Sequence, residues 1–251
     1  MDSKRIVLPL PSVKPILKLL HTSHSGVSKT TNLADGLYFW PGMTNDNHQM
    51  VSACSECTCV LQSQPAKPMS TAPPSSHFSF PMQHGGKDYL ICMDQWSWYT
   101  LYQLLRSTTS NSLIRCLSTW FNLLGWPSSI SSNGGPQFRG DFSNFYLKHD
   151  IWHELSAPYS PKSNGLAEAG VKSVKNILKK CLSSGINADF MLYEWWNVPR
   201  SDGYSPSQVM FGQSQQTCLP FLPSQNPPID FVKAAASAYA RSKIDHDRSK
   251  H

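Results

Sequence analysis

Nowhere in the 251 residues does an apolar run approach the roughly 20 needed to cross a bilayer, so a membrane partner is not expected. The amino terminus, MDSKRIVLPLPSVKPILKLLH, is interrupted by prolines and lacks a small-residue cleavage site, which makes it a poor secretory leader. Carboxylates are scarce: 16 Asp and Glu stand against 22 Lys and Arg, a net charge of +6 with a pI near 8.9. An acid-poor surface suits an anionic partner such as nucleic acid, although many plain basic proteins share so modest an excess. The seven cysteines are odd in number, which argues against a secreted, fully paired disulfide framework. Four of them, Cys92, Cys116, Cys181 and Cys218, are scattered and read as small buried hydrophobes. No internal repeat is present.

The chain has length for one large domain or two smaller ones. Residues 60–77 are rich in Pro and Ser and read as a linker between an amino-terminal unit, 1–59, and a larger body, 78–215. A partly helical tail, 216–251, follows. In the body, Phe78, Phe80 and Met82 alternate as in a strand, and YLICM at 89–93 reads as a buried strand, with Gly85-Gly86 closing a hairpin between them. Leu113, Cys116, Leu117, Trp120, Phe121 and Leu124 make one helical stripe, stopped at Gly125. A short strand ends at Ile130, a turn runs through SSNGGPQF, and Asp141 is placed to cap a helix carrying Phe142, Phe145 and Tyr146. A further helix, beginning near Leu166, buries Val171, Val174, Ile177, Leu178 and Cys181 and sets Lys172, Lys175 and Lys179 on another face. By themselves those lysines read as a solvated surface. Strand alternating with helix indicates an α/β body.

One constellation carries metal chemistry. His21-x2-His24 is separated by 29 residues from Cys54-x2-Cys57. Two imidazoles and two thiolates satisfy tetrahedral Zn²⁺, and each close pair can clip the metal from a single turn. Cys59 is a spare thiol, idle or a substitute ligand.

The stretches LHTSHSGVSKT, YFWPGM and CSEC resemble the zinc-binding module of gypsy-type retrotransposon integrases, with Ser23 in place of the usual glycine before the second histidine. GGKDYLICMDQWS, GWPSSISSNGGPQF, APYSPKSNGLAEAGVKSVKN and GYSPSQVMFG continue the resemblance in order, over residues 16 to 215. The resemblance implies a ribonuclease H-like core, a mixed sheet flanked by helices, behind a small helical zinc module. It also implies an Asp, Asp, Glu triad that holds two Mg²⁺ or Mn²⁺ ions for DNA strand transfer.

Carried over position by position, the third acid is Glu168, and the second falls 35 residues earlier on Asn133. An amide there brings no charge. The strand bearing the first acid is expected to be missing or remodelled, because PMQH runs directly into GGKDYL. Asp88 and Asp94 are nearby, but they match family positions outside the triad. Trp98 replaces the family's glycine in WSGY.

The resemblance also assigns Lys172 and Lys175, four and seven residues after Glu168, to a DNA-facing surface, joined by Tyr159 and Lys162 in the loop 158–165 that contacts DNA in relatives. No carboxy-terminal DNA- or chromatin-binding module is recognised after residue 215. Lacking reverse transcriptase and protease segments, the chain reads as an isolated piece of a polyprotein.

The resulting expectation is an integrase-like, zinc- and DNA-binding protein, nuclear if functional and otherwise cytoplasmic, able to self-associate, with Mg²⁺ or Mn²⁺ no longer bound productively. Two alternatives accompany it. One is a strand-transferase using Asp88 or Asp94 with Glu168, helped by deamidation at Asn133-Gly134. The other is a decayed transposon fragment, its sheet opened by the lost strand.

Overall fold

The computed structural model describes residues 5–59, 76–132, 135–155, 161–200 and 203–220, with backbone alone at 76–81, 161–170 and 182. Contacts divide the chain into two compact units, one of Met1–Gln64 with Asn176–Ala238, the other of Pro65–Lys175 with Tyr239–His251. Among the described residues, no helix is long and apolar enough to cross a membrane.

In the first unit, the two-residue strands β1 (Ile6–Val7) and β2 (Tyr38–Phe39) pair in parallel beside helices α1 (Leu10–Leu20), α2 (Val27–Leu37), α3 (Met43–Ser52) and the single turn α4 (Ser55–Thr58). Pro11 sits in the first turn of α1, where its missing N–H costs nothing. Helix α1 turns Val13, Ile16, Leu17 and Leu20 inward against Tyr38 and Trp40. The Trp40 indole donates to Asp46 at 2.8 Å, so this large ring is buried with its polar atom satisfied. Residues after 176 belong here too: Leu219 completes the same core, and Tyr38 Oη donates to the Pro220 carbonyl at 2.5 Å.

The second unit is built on a five-stranded sheet in the order β5-β4-β3-β6-β7, with β3 Ser76–His84, β4 Lys87–Asp94, β5 Thr100–Leu105, β6 Ser129–Ser132 and β7 Trp152–Leu155. Strands β3, β4 and β5 are antiparallel neighbours, while β6 runs parallel to both β3 and β7. Gly85 and Gly86, both at positive φ, close the β3–β4 hairpin. Leu90 to Met93 are all buried, as a strand covered on both faces requires. Helix α5 (Ser110–Leu124) packs Leu113, Leu117 and Phe121 onto the core with Phe142 and Phe145 of α6 (Asp141–Lys148). Gly125, at φ 101°, ends α5 and returns its N–H to the Phe121 carbonyl.

This topology corrects one expectation. The first strand, expected to be missing or remodelled, is present as β3 at the centre of the sheet, so of the two only its absence is ruled out. The alternation Phe78-x-Phe80-x-Met82 was its signature. Smaller corrections concern helix starts. Asp141 is the first residue of α6, with Gly140 in the cap position. The long helix α7 spans Pro161–Ser184, beginning five residues before Leu166 and drawing Lys162 into its first turn instead of a loop. Two later helices, α8 (Ala188–Trp196) and α9 (Pro206–Phe211), start on capping side chains from Asn187 and Ser205. The linker is described only from Ser76, already in β3, and the tail only as far as residue 220.

Candidate functional site

The metal constellation assembles from two short turns. As α1 ends, His24 N donates to the His21 carbonyl at 2.9 Å, and His24 takes a φ of 47°, in the left-handed region. That turn brings both imidazoles to one side, their ring centroids 4.9 Å apart. Across from them, Cys54 stands in the cap position of α4, which lifts Cys57 beside it; Thr58 N donates to the Cys54 carbonyl. All four ligand atoms lie within 4.8 Å of one another. Cys54 Sγ is 3.3 Å from His24 Nδ1, and Cys57 Sγ is 3.3 Å from His21 Nε2 and 3.7 Å from His24 Nδ1. Tetrahedral zinc with its usual Zn–S and Zn–N bonds sets an N···S edge of about 3.5 Å, so the donor set fits. Burial pushes His21 down to about 4, keeping its imidazole neutral and ready to ligate. Burial likewise raises the Cys57 thiol to about 11, so metal binding must displace its proton. Cys59 is exposed and outside this cluster. Lys180, not singled out for this site by its sequence, donates from Nζ to the His24 carbonyl at 2.5 Å. Only three-dimensional packing of α7 reveals that contact.

The positions that the resemblance assigns to the acidic triad fare differently. Strand β3 reads SHFSFPMQH and contains no Asp or Glu. Its Ser79 pairs with Ser132, the last residue of β6, so the chain leaves the sheet toward Asn133 alongside the middle of β3. Asn133 and Tyr159 themselves lie outside the described residues, and Glu168 and Lys162 are placed by backbone alone, both in α7. Lys172 is exposed and Lys175 half-buried, three residues apart on the helix face opposite buried Val174, Ile177 and Leu178. Asp94 is engaged elsewhere: its Oδ2 accepts from Ser97 N at 2.7 Å and from Ser97 Oγ, capping the turn into β5. Asp88 pairs with Gln83 at the hairpin end, four residues along β3 from Ser79, or about 13 Å. Neither carboxylate is delivered to the end of β6. Trp98, standing where the resemblance has glycine, takes a φ of 64°.

The first unit thus carries an H2C2 cluster of two buried histidines and two half-buried cysteines on a helical module, and the second a mixed sheet ordered β5-β4-β3-β6-β7. The family model "Integrase zinc binding domain" matches residues 8–62. An uncharacterized protein of Caenorhabditis elegans is 29% identical over 231 residues, covering 87% of this chain and 18% of that protein. The Pro-Pol polyprotein of simian foamy virus type 3 is 23% identical over 235 residues, covering 86% of this chain and 20% of the polyprotein. The chain thus spans about a fifth of the length of these relatives. The simian T-cell lymphotropic virus intasome, solved in complex with PP2A regulatory subunit B56 gamma, matches with a TM-score of 0.51 and 18% identity, over 82% of this chain and 77% of that one. Over residues 8–62 the chain matches that zinc-binding domain, and over most of its length it is similar in sequence to these relatives and in fold to the intasome chain.

Proposed function

We propose that this chain is a gypsy-type integrase derivative that binds DNA and no longer transfers strands. The observation that carries this reading is the acid-free central strand. Strand β3 is in place, yet no residue of Ser76–His84 is a carboxylate, and the second acid position is Asn133. Two-metal chemistry needs anionic oxygens to hold both ions against the attacking and leaving groups, and Glu168 alone supplies one of three. The family's other reading, an active site rebuilt around Asp88 or Asp94, is favoured by the retained Glu168. Against it stand the Ser97 contacts of Asp94 and the distance of Asp88 from the end of β6.

DNA would be met by the α7 face bearing Lys172 and Lys175, with Lys162 and Tyr159 preceding it. Zinc would be structural, and the likeness in fold to a chain of an intasome favours a nuclear chain able to assemble with copies of itself. Each lysine that neutralises a phosphate releases condensed counterions, giving a slope of about −0.9 in log K against log salt. Two such contacts contribute about 60-fold at roughly 0.1 M salt relative to 1 M.

Fluorescence anisotropy of a labelled duplex at stepped salt tests this. The Lys172→Gln/Lys175→Gln pair should lower the slope by about 1.8. Absence of binding at low salt, or binding indifferent to salt, would remove the DNA-binding reading.

A further inference from the structure

Residues 215–220 cross the first unit outside any helix or strand, and both ends of the segment are tied down. Gln215 N donates to Asn197 Oδ1 at 3.1 Å, and the Pro220 carbonyl accepts from Tyr38 Oη. Between them, Leu219 is buried in the same core as Leu20 of α1. Cys218 is held by a single carboxylate. Glu194 of α8, itself only 5% exposed, accepts from Cys218 N at 3.1 Å through Oε1 and from Cys218 Sγ at 3.4 Å through Oε2. A buried carboxylate with both oxygens committed to one residue fixes that residue in place. The sulfur so fixed lies 3.8 Å from Thr22 Oγ1 and 4.0 Å from the Leu19 carbonyl oxygen. Thr22 stands between His21 and His24, so the segment bears on the turn that presents both imidazoles. Local preference does not favour that turn. His24, at φ 47°, occupies a region that residues with a Cβ adopt rarely, and such a conformation persists only where its surroundings enforce it.

We propose that residues 215–220, latched to Glu194 through Cys218, clamp the His21–His24 turn and so position two of the four zinc ligands. Glu194 and Cys218 are positioning residues, outside the cluster of ligand atoms. A clamp that favours the metal-ready turn strengthens zinc binding by the same factor by which zinc strengthens the clamp. DNA binding plays no part in it.

Two readouts on the full chain test the clamp: zinc affinity by competition with a chromogenic chelator, and the visible spectrum of the Co²⁺-loaded form. Glu194→Gln takes the charge out of the latch. It should weaken zinc about tenfold and alter the Co²⁺ bands, because the imidazoles are held less well. Cys218→Ser keeps both donors to Glu194 and should leave zinc bound more tightly than in Glu194→Gln. Unchanged affinity in Glu194→Gln would overturn the clamp. Weaker zinc with unaltered Co²⁺ bands would reduce Glu194 to a packing residue and overturn its positioning role. Should Glu194→Gln fail to fold, hydrogen exchange of the unaltered chain decides. Peptides covering residues 215–220 should gain protection on zinc loading together with those of α1, and protection indifferent to zinc would overturn the clamp.

Discussion

Removing zinc with a chelator should unfold the amino-terminal module and leave the sheet standing. The ligand pairs are far apart in sequence, His24 and Cys54 being 30 positions apart, so a metal held by both closes a long loop. Treated as a cross-link, a loop of that length stabilises by about 3.6 kcal/mol through the entropy it removes from the unfolded chain. The metal–ligand bonds add to this floor. The core the metal supports is small, centred on Leu20, Tyr38 and Trp40, and its strands β1 and β2 are two residues each. Cores of this size ordinarily need a staple. For a unit of 60 to 100 residues, about 3.6 kcal/mol corresponds to a melting-temperature shift of roughly 15–30 °C. Hydrogen exchange read by mass spectrometry on the full chain resolves where the loss falls. Peptides from α1 and α2 should lose protection on chelation, while those from β4 and α5 keep it. Protection in α1 and α2 that survives complete zinc removal would refute the cross-link reasoning.

Four further outcomes follow from particular residues. Acid should release zinc: the unfolded His21 imidazole takes a proton below about 6.5, whereas the folded one resists to about 4, so stability is lost as pH falls through that window. A chromogenic zinc dye across the same range checks it. Because Trp98 sits at φ 64°, Trp98→Gly should be more stable than Trp98→Ala by about 1 kcal/mol, measured by urea unfolding; equal stabilities would show that the left-handed backbone costs nothing there. Phe121→Ala, emptying the centre of the second unit, should cost about 3–5 kcal/mol in the same assay. Cys59→Ser should leave zinc stoichiometry at one, since that exposed thiol lies outside the cluster.

How much of this was legible beforehand depended on whether the signal was local. The zinc ligands were, because two close pairs of metal-binding side chains state their chemistry by spacing alone. So were α5, whose stripe has a strict helical period, and the Gly85-Gly86 hairpin. Strand β3 was half legible. Its alternation was visible, but its place at the centre of the sheet is set by pairing with β6, some 50 residues on, and the strand lacks the aspartate that the resemblance implies. The start of α7 was missed because Pro161 and Gly165 read as a loop, although proline is well suited to a first turn. The contact of Lys180 with the His24 carbonyl could not be read at all, since it joins residues 156 positions apart.

The most direct test of the central claim is a 3′-end nicking and strand-transfer assay with Mn²⁺, the more permissive ion, on the zinc-loaded chain and its Glu168→Gln variant. With β3 free of carboxylates and an amide at residue 133, neither protein should yield product above a metal-free blank, and Asn133→Asp alone should not change that. Product formed by the unaltered chain and abolished by Glu168→Gln would contradict the account.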